Sequence, residues 1–308
     1  LFGVFRFEGR RSVNNPQATR LTAGRDRAQA AKLLRESYNV DLLLHEKQSG
    51  ADISLLAWPA TGKVQAAAAL VLHRDGTGFI HLPAGVRSET AVTALYHGLK
   101  QRAIELNAHV VLVLLPMHML GFAAELLHHG FRHVGDVMTM ESRNRTLTLE
   151  RASLVNPAEQ PVRLCESEPS DARLATIIQS TYEGSLSDPS LGTNHSAQGF
   201  LDRLKFESPD HQDRFVIVLD GRDAAVCLLS RYDAHGYVGV RYLGVSPSFR
   251  GRKLGSKLLA ASLARVWSPA YKYCSVDVDR GNTFAVAVYA ELGFETKSQA
   301  AEFTLPLD

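Results

Sequence analysis

Apolar residues follow two periods that trade places along the chain. Short apolar or alternating runs bounded by turn residues read as strands, and stretches with an apolar residue every third or fourth position read as helices. In the first half this gives a short strand at Ala18–Ala23 and a helix at Arg27–Tyr38, with Ala28, Ala31, Leu33 and Leu34 on its apolar side. Asp41–Leu44 continues apolar, and strands are expected at Ile53–Trp58 and Val64–His73. Asp75-Gly76 is a hairpin signal, so Gly78–Leu82 should pair back. Thr90–Leu106 reads as a helix through Val92, Leu95, Leu99, Ala103 and Leu106. His109–Leu115 is a buried strand, Leu120–His129 a helix closed by Gly130, and Phe131–Met140 a strand.

The same order returns after residue 160. Val162–Cys165 is a strand and Pro169–Tyr182 a helix. A polar, glycine-containing loop at Gly184–His195 leads to a helical piece at Gly199–Phe206. Three strands follow, Phe215–Leu219, Ala224–Arg231 and Val238–Val245, the first two joined by Asp220-Gly221. A helix over 254–267 stops at Ser268-Pro269. Then come a strand at Tyr273–Val278, a helix after Asn282 and a closing strand at Phe303–Leu307. His128-His-Gly-Phe131 lines up with Glu291-Leu-Gly-Phe294. The order β-α-β-β-β-α-β-α-β therefore occurs twice. The reading is α/β (α+β), with domains at 1–150 and 161–308 and a polar linker at 151–160.

The stretch from Val240 to Leu259 places a strand, a basic turn and a helix in succession. Ser246-Pro247 ends the strand, and Leu254, Leu258, Leu259, Leu263 and Val266 give the helix its apolar face. The first N–H groups of a helix lack intrahelical partners and carry partial positive charge. Gly251 and Gly255 let an anion approach the backbone, and Arg250, Arg252 and Lys253 add charge. On spacing alone the turn suits a pyrophosphate or a solvated basic cap equally. It is neither G-x-G-x-x-G nor G-x-x-x-x-G-K-[ST].

Val245, Pro247, Arg250, Gly251, Leu254 and Gly255 resemble motif A of the GNAT superfamily of N-acetyltransferases, in which V-x-P leads into R/Q-x-x-G-x-G/A. Lys253 departs, since the family usually has glycine there. A lysine does not take positive φ cheaply, so an α-compatible backbone is expected at 253. Asn282, Ala285, Tyr289, Gly293 and Phe294 resemble the family's motif B, N-x-x-A-x-x-x-Y-x-x-x-G-F. The resemblance implies two tandem GNAT-like domains, each a mixed, mostly antiparallel central sheet flanked by helices. It implies acetyl-CoA as co-substrate, with its pyrophosphate on Arg250, Gly251, Arg252, Lys253, Leu254, Gly255 and Ser256. It assigns the pantetheine and the thioester oxyanion to the backbone of Leu243, Gly244 and Val245, and the general acid to Tyr289, which it also counts among the coenzyme-binding residues. Asn282 contacts the coenzyme arm or caps its helix. Direct attack of an amine on the thioester is the mechanism it implies, and the loop Gly184–Gln198 is expected to line the acceptor pocket. The tandem layout, with the better site second, is similar to that of mycothiol synthases.

The first copy resembles the family in element order and in Gly130-Phe131 only. Ala84–Thr90 lacks the glycine spacing and the basic cluster, and Leu126 stands where the tyrosine belongs, so a degenerate copy is expected. The general base has no glutamate on the strand before the loop. Asp277 and Asp279 share one strand face and are the candidates, with turn chemistry as their other reading; Tyr242 and Asp233 follow. A protein that binds acyl-CoA without turnover, as sensor or scaffold, is the competing class.

Composition narrows this further. An apolar share of 45% can supply two cores, and a net charge of +2 gives no bulk attraction for nucleic acid. Nucleic-acid contacts through Arg250, Arg252, Lys253 and Lys257 are therefore the third reading. The apolar run Val110–Leu115 is too short to span a bilayer. Cys165, Cys227 and Cys274 form no C-x-x-C pair and read as reduced thiols of a cytoplasmic protein, and Leu1–Arg11 shows no secretory pattern. His118, His128, His129 and His133 group together without a metal-ligand pattern, so no metal is expected. The expected partner is a small-molecule or peptide amine.

Overall fold

The runs read as strands assemble into one sheet of eleven. This computed structural model describes residues 17–21, 24–38, 51–73, 75–155, 164, 168–186, 196–207 and 211–307. The first half contains β1 (Thr19–Leu21), α1 (Gly24–Tyr38), β2 (Asp52–Trp58), β3 (Ala66–Leu72) and β4 (Thr77–Gly85). It continues with α2 (Glu89–Glu105), β5 (Val110–Pro116), α3 (Ala123–His128), β6 (Arg132–Ser142) and α4 (Arg145–Val155). The second half contains α5 (Asp171–Tyr182), α6 (Ala197–Glu207), β7 (His211–Leu219), β8 (Arg222–Tyr232) and β9 (Tyr237–Val245). It ends with α7 (Leu254–Val266), β10 (Tyr273–Asp279), α8 (Thr283–Glu291) and β11 (Glu295–Thr304). Of the sequence expectations, Asp41–Leu44, residues 156–160, most of 162–165 and 187–195 of the polar loop lie outside the described residues.

Three elements differ from expectation. The helix expected at Leu120–His129 is a 3₁₀ stretch at Met117–Phe122 followed by the short α3, with Gly121 inside the 3₁₀ part. The closing strand begins at Glu295, because its polar first half pairs with β6 on a largely exposed part of the sheet. The first five residues of the segment expected as a linker continue α4 to Val155. Elsewhere the turn chemistry holds. Asp220 and Gly221 both take positive φ, 52° and 70°, as a two-residue hairpin turn requires.

The strand order is β1-β2-β3-β4-β5-β11-β6-β10-β9-β8-β7. The last strand of each half thus sits in the other half's part of the sheet. β11 is antiparallel to both β5 and β6, so β5 and β6 run the same way with β11 between them. β6 is antiparallel to β10 and β11, so those two also run the same way with β6 between them. Each half is a β-α-β crossover that leaves a slot one strand wide, and each fills the other's slot.

Helices cover both faces. On one, α2, α7 and α8 bury Leu95, Leu99, Val113, Leu258, Leu263 and Trp267 with the facing strand residues. On the other, α1 packs on β2 and β3 through Ala30 and Leu34, and α5 and α6 pack on β7 and β8 through Leu174, Ile178 and Leu204. Between these groups no described apolar cluster occupies the middle of that second face, a trough in which Leu112 and Glu302 are nonetheless buried. There β10 and β6 present Asp277, Asp279, Val137 and Thr139, and β5 presents the exposed Leu114. One side of this trough is closed where α6 meets the β3–β4 hairpin. Arg203 Nε stands 3.3 Å from Asp75 Oδ2, an ion pair whose carboxylate is almost wholly shielded from water. No described helix is long and apolar enough to cross a membrane.

Candidate active site

The parallel strands β9 and β10 pair only from Tyr237 opposite Tyr273 to Val240 opposite Val276. Beyond that point they diverge. Arg241–Val245 keeps β8 as its neighbour, and Asp277–Asp279 keeps β6. A bulge starts the divergence: Leu229 faces Val240 and Leu228 faces Tyr242, leaving Arg241 as the extra residue. The edge of β9 at Leu243, Gly244 and Val245 is thereby turned toward an opening instead of a strand, as the sequence reading of those residues needs. Gly244 is required by its surroundings, since a Cβ there would meet Thr181 Oγ1 at 2.7 Å and Tyr242 Cε1 at 2.8 Å.

The opening runs into the basic turn. Phe249 is buried and anchors it, and Arg250 to Lys253 are exposed. Arg250 directs its guanidinium inward, donating to the carbonyls of Val245 (3.2 Å), Gly184 (3.1 Å) and Thr181 (2.9 Å). It therefore ties the turn to the C-terminus of α5. Arg252 lies over the ring of Phe249 at 5.5 Å. Gly251 takes φ 77°, and nothing lies within 4 Å of where a Cβ would stand; Gly255 leaves room beside Val245 and Val288. The N-cap residue Lys253 makes no side-chain capping hydrogen bond to α7, whose first N–H groups lie at the turn.

Lys253 corrects the sequence reading. It is the N-cap of α7 and is left-handed, with φ 56° and ψ 22°, not α-compatible. The chain must reverse between Gly251 and Leu254, and the position demands that geometry whatever residue fills it. A left-handed lysine costs roughly 1–2 kcal/mol, and glycine's extra chain entropy returns about half of that. Lys253→Gly is therefore expected to raise stability by about 0.5–1 kcal/mol in thermal or urea unfolding; an unchanged or lower midpoint would show the position unstrained.

Tyr289 is buried on α8, its ring 5.8 Å from that of Phe294. Burial pushes its phenol well above the usual range, and Cys227, Cys274 and Tyr242 nearby push it further. It is held neutral as a proton donor must be. The Asn282 side chain accepts from Ala285 N at 3.1 Å, so capping is a role the structure shows for it. Asp277 and Asp279 both lie on the diverging end of β10, on the face opposite the α7–α8 core. Asp277 Oδ1 accepts from Thr139 Oγ1 at 2.7 Å, and Asp279 Oδ1 accepts from Gly281 N at 2.7 Å, the turn chemistry of its other reading. Asp279, Asp136, Arg280 and Leu186 border an open cleft of about 510 Å³.

Two lower-ranked bases fall away. Tyr242 shares a 2.5 Å hydrogen bond with Thr181, and burial raises its pKa, so it stays protonated at neutral pH. Asp233 sits at the β8–β9 turn, at the far end of β9 from the basic turn, held by Tyr271 at 2.7 Å. Among the grouped histidines, His133 lies 3.1 Å from Asp136, and burial lowers the pKa of His129, whose ring packs on Tyr96 at 4.6 Å.

The first half keeps the frame and fills the site. β4 and β5 pair in parallel only from Thr77 to Phe79, and β4 is bulged against β3 near Leu82. Gly130 and Gly293 take φ 88° and 87°, and Phe131 N and Phe294 N donate to the carbonyls of Leu126 and Tyr289, each at 3.0 Å. The turn differs. Arg87 pairs with Glu125 and lies over Phe122 at 4.3 Å, Tyr96 donates to Glu125 at 3.0 Å, and Ser88 caps α2 through Ala91 N. Its basic group and its helix end are both engaged by the chain itself.

Sequence reasoning missed Thr181, Arg151 and Glu291. Thr181 meets Gly244 and Tyr242 from α5, a long-range contact with no local signal. Glu291 accepts from Ser256 Oγ at 2.6 Å and stands 3.8 Å from Lys253 Nζ. It lies inside the quoted motif B, and its charge was the available clue.

The model of the acetyltransferase (GNAT) family matches residues 174–294. No curated protein matches the chain. Among solved structures, the chain is similar to a GCN5-related N-acetyltransferase from Sphaerobacter thermophilus, with 16% identity and a TM-score of 0.56 over 92% of this chain and 91% of that one. It is similar to a tandem GNAT protein from the clavulanic acid biosynthesis pathway, with 15% identity and a TM-score of 0.56 over 95% and 98% of the two chains. A GCN5-related N-acetyltransferase from Kribbella flavida gives 15% identity and a TM-score of 0.55 over 90% and 95%. At these identities the likeness is one of fold, and it extends over both halves.

Proposed function

We propose, from the match of residues 174–294 to the acetyltransferase (GNAT) family model and the likeness in fold to a tandem GNAT protein, that the protein is an acetyl-CoA-dependent N-acetyltransferase working in its second half. The observation that carries this is the opening between β9 and β10 that runs into a glycine-bearing basic turn whose N-cap residue makes no capping bond. An extended acyl-pantetheine arm fits the opening, and a diphosphate fits the turn.

The chemistry follows from what stands on each side. The amine nitrogen attacks the thioester carbon, and the oxyanion is stabilised by backbone N–H groups of the free edge at Leu243–Val245. The C–S bond breaks, and Tyr289, on the α8 side, gives its proton to the departing thiolate. Asp277 and Asp279 lie on the opposite face, on the trough and its open cleft, where an acceptor amine can lose its proton to them directly or through water. Acid and base thus approach one acyl group from the two faces of the sheet. The trough is the acceptor site in this reading.

Calorimetric titration of the full chain with acetyl-CoA tests it. One site per chain is expected. Two would mean that the Arg87–Glu125 pair opens and the first half also binds, and absence of binding would overturn the proposal.

A further inference from the structure

Helix α4, which follows the exchanged strand β6, reaches across to the second half. Ala152 is buried in the α7 core cluster, and Arg145 Nε donates to Trp267 O at 2.5 Å. This seats Arg151, Leu154 and Val155 opposite Lys253, Lys257 and Glu291, and the six residues line an open cleft of about 440 Å³. Lys253 closes the basic turn and Lys257 is one helical turn further along α7, so the cleft begins where the proposed diphosphate seat ends. The acyl arm enters the β9–β10 opening; the nucleotide end of the coenzyme must therefore leave the turn on its outer side, where this cleft lies. Leu154 stands 81% exposed at its edge, an apolar surface beside cations that suits a purine face. Among the described residues Arg151 makes one hydrogen bond, a 3.3 Å donation from Nη1 to Ala290 O, which leaves most of its donors unengaged there.

We infer that Arg151, with Lys257, binds the 3′-phosphate of the coenzyme's nucleotide, so that a helix of the first half completes the site of the second. This rests on the acetyl-CoA reading. A guanidinium gives a phosphate two parallel charge-assisted hydrogen bonds, and a lysine gives a point charge. Glu291 opposes them: its carboxylate already accepts from Ser256 and faces Lys253 at this end of the turn.

The test compares CoA with dephospho-CoA, which lacks only the 3′-phosphate, by calorimetry on the full chain. The wild type should prefer CoA by about tenfold, the scale of one charge-assisted contact on an open surface. Arg151→Gln should bring that preference close to one while leaving dephospho-CoA affinity unchanged. Arg151→Lys should keep part of it, and Glu291→Gln should tighten CoA binding. Equal affinities in the wild type, or equal weakening of both ligands by Arg151→Gln, would overturn the assignment, the latter marking Arg151 as a support for Ala290 only. Failure of the wild type to bind either ligand is a different result, and overturns the acetyl-CoA reading itself.

Discussion

Expressed without residues 1–150, the second half is expected not to fold as a stable monomer. β10 and β11 run the same way, joined through α8, and β6 fills the slot between them. Removing the first half strips β10 of its neighbour along Cys274–Asp279 and β11 of β6 over 295–304 and of β5 over 300–304. Each ladder hydrogen bond is worth about 1 kcal/mol net and more when its groups are left buried and unmet, against a total of roughly 5–15 kcal/mol holding a domain together. The buried apolar face of β11, Ala301 and Phe303, loses its partners on β5 as well. A second copy can supply the missing strand, because the slot accepts an antiparallel neighbour and β11 of a partner has the direction that β6 has here. Light scattering should therefore find the fragment as dimer or aggregate, and co-expression with residues 1–150 should restore a one-to-one complex that melts near the intact chain. A monomer with the intact chain's melting point and acetyl-CoA affinity would refute the exchange.

That exchange was not legible in the sequence, though nearly all its parts were. Alternation placed β2, β3, β8, β9 and β10 to within a few residues, since each packs one face or both against helices. Asp220-Gly221 and Gly130 announced their turns because only a few residues tolerate positive φ. Pairing between β6 and β11 leaves no such trace, because a strand's pattern reports which face is buried and not which neighbour buries it. The polar start of β11 hid the strand itself. α4 was hidden by its exposed Leu147 and Leu154, which blur the helical period, although Asn144, accepting from Leu147 N at 3.0 Å, is an ordinary capping signal. At the site, the strand, glycine-bearing turn and helix around residues 240–259 followed from motif spacing. The backbone at Lys253 was misjudged, because the chain reversal between Gly251 and Leu254 requires a left-handed residue there and a lysine does not announce one.

Tyr289→Phe is expected to lower turnover by about 100-fold, roughly 2.7 kcal/mol of transition-state stabilisation, with acetyl-CoA affinity unchanged. The substitution removes one oxygen and leaves the ring that packs on Phe294, so the core of α8 keeps its shape. The readout is thiol release with an amine that the wild type acetylates, beside calorimetry for acetyl-CoA. A pH profile separates a proton donor from a supporting ring. Burial first, then Cys227, Cys274 and Tyr242, hold the phenol above its ordinary pKa of 10. The neutral, donating form is therefore complete through neutral pH and persists as pH passes 10, and donation fails only above the raised value. Wild-type turnover should rise with pH as the amine and its base deprotonate and should not fall before pH 10, whereas the phenylalanine variant should be slower at every pH with the same rising limb. Equal turnover would remove Tyr289 from the chemistry and favour a protein that binds the coenzyme without using it. A proportionate loss of acetyl-CoA affinity would make it a binding residue. Loss of rate alone, with the rising limb unchanged, leaves the phenol as the group that protonates the departing thiolate.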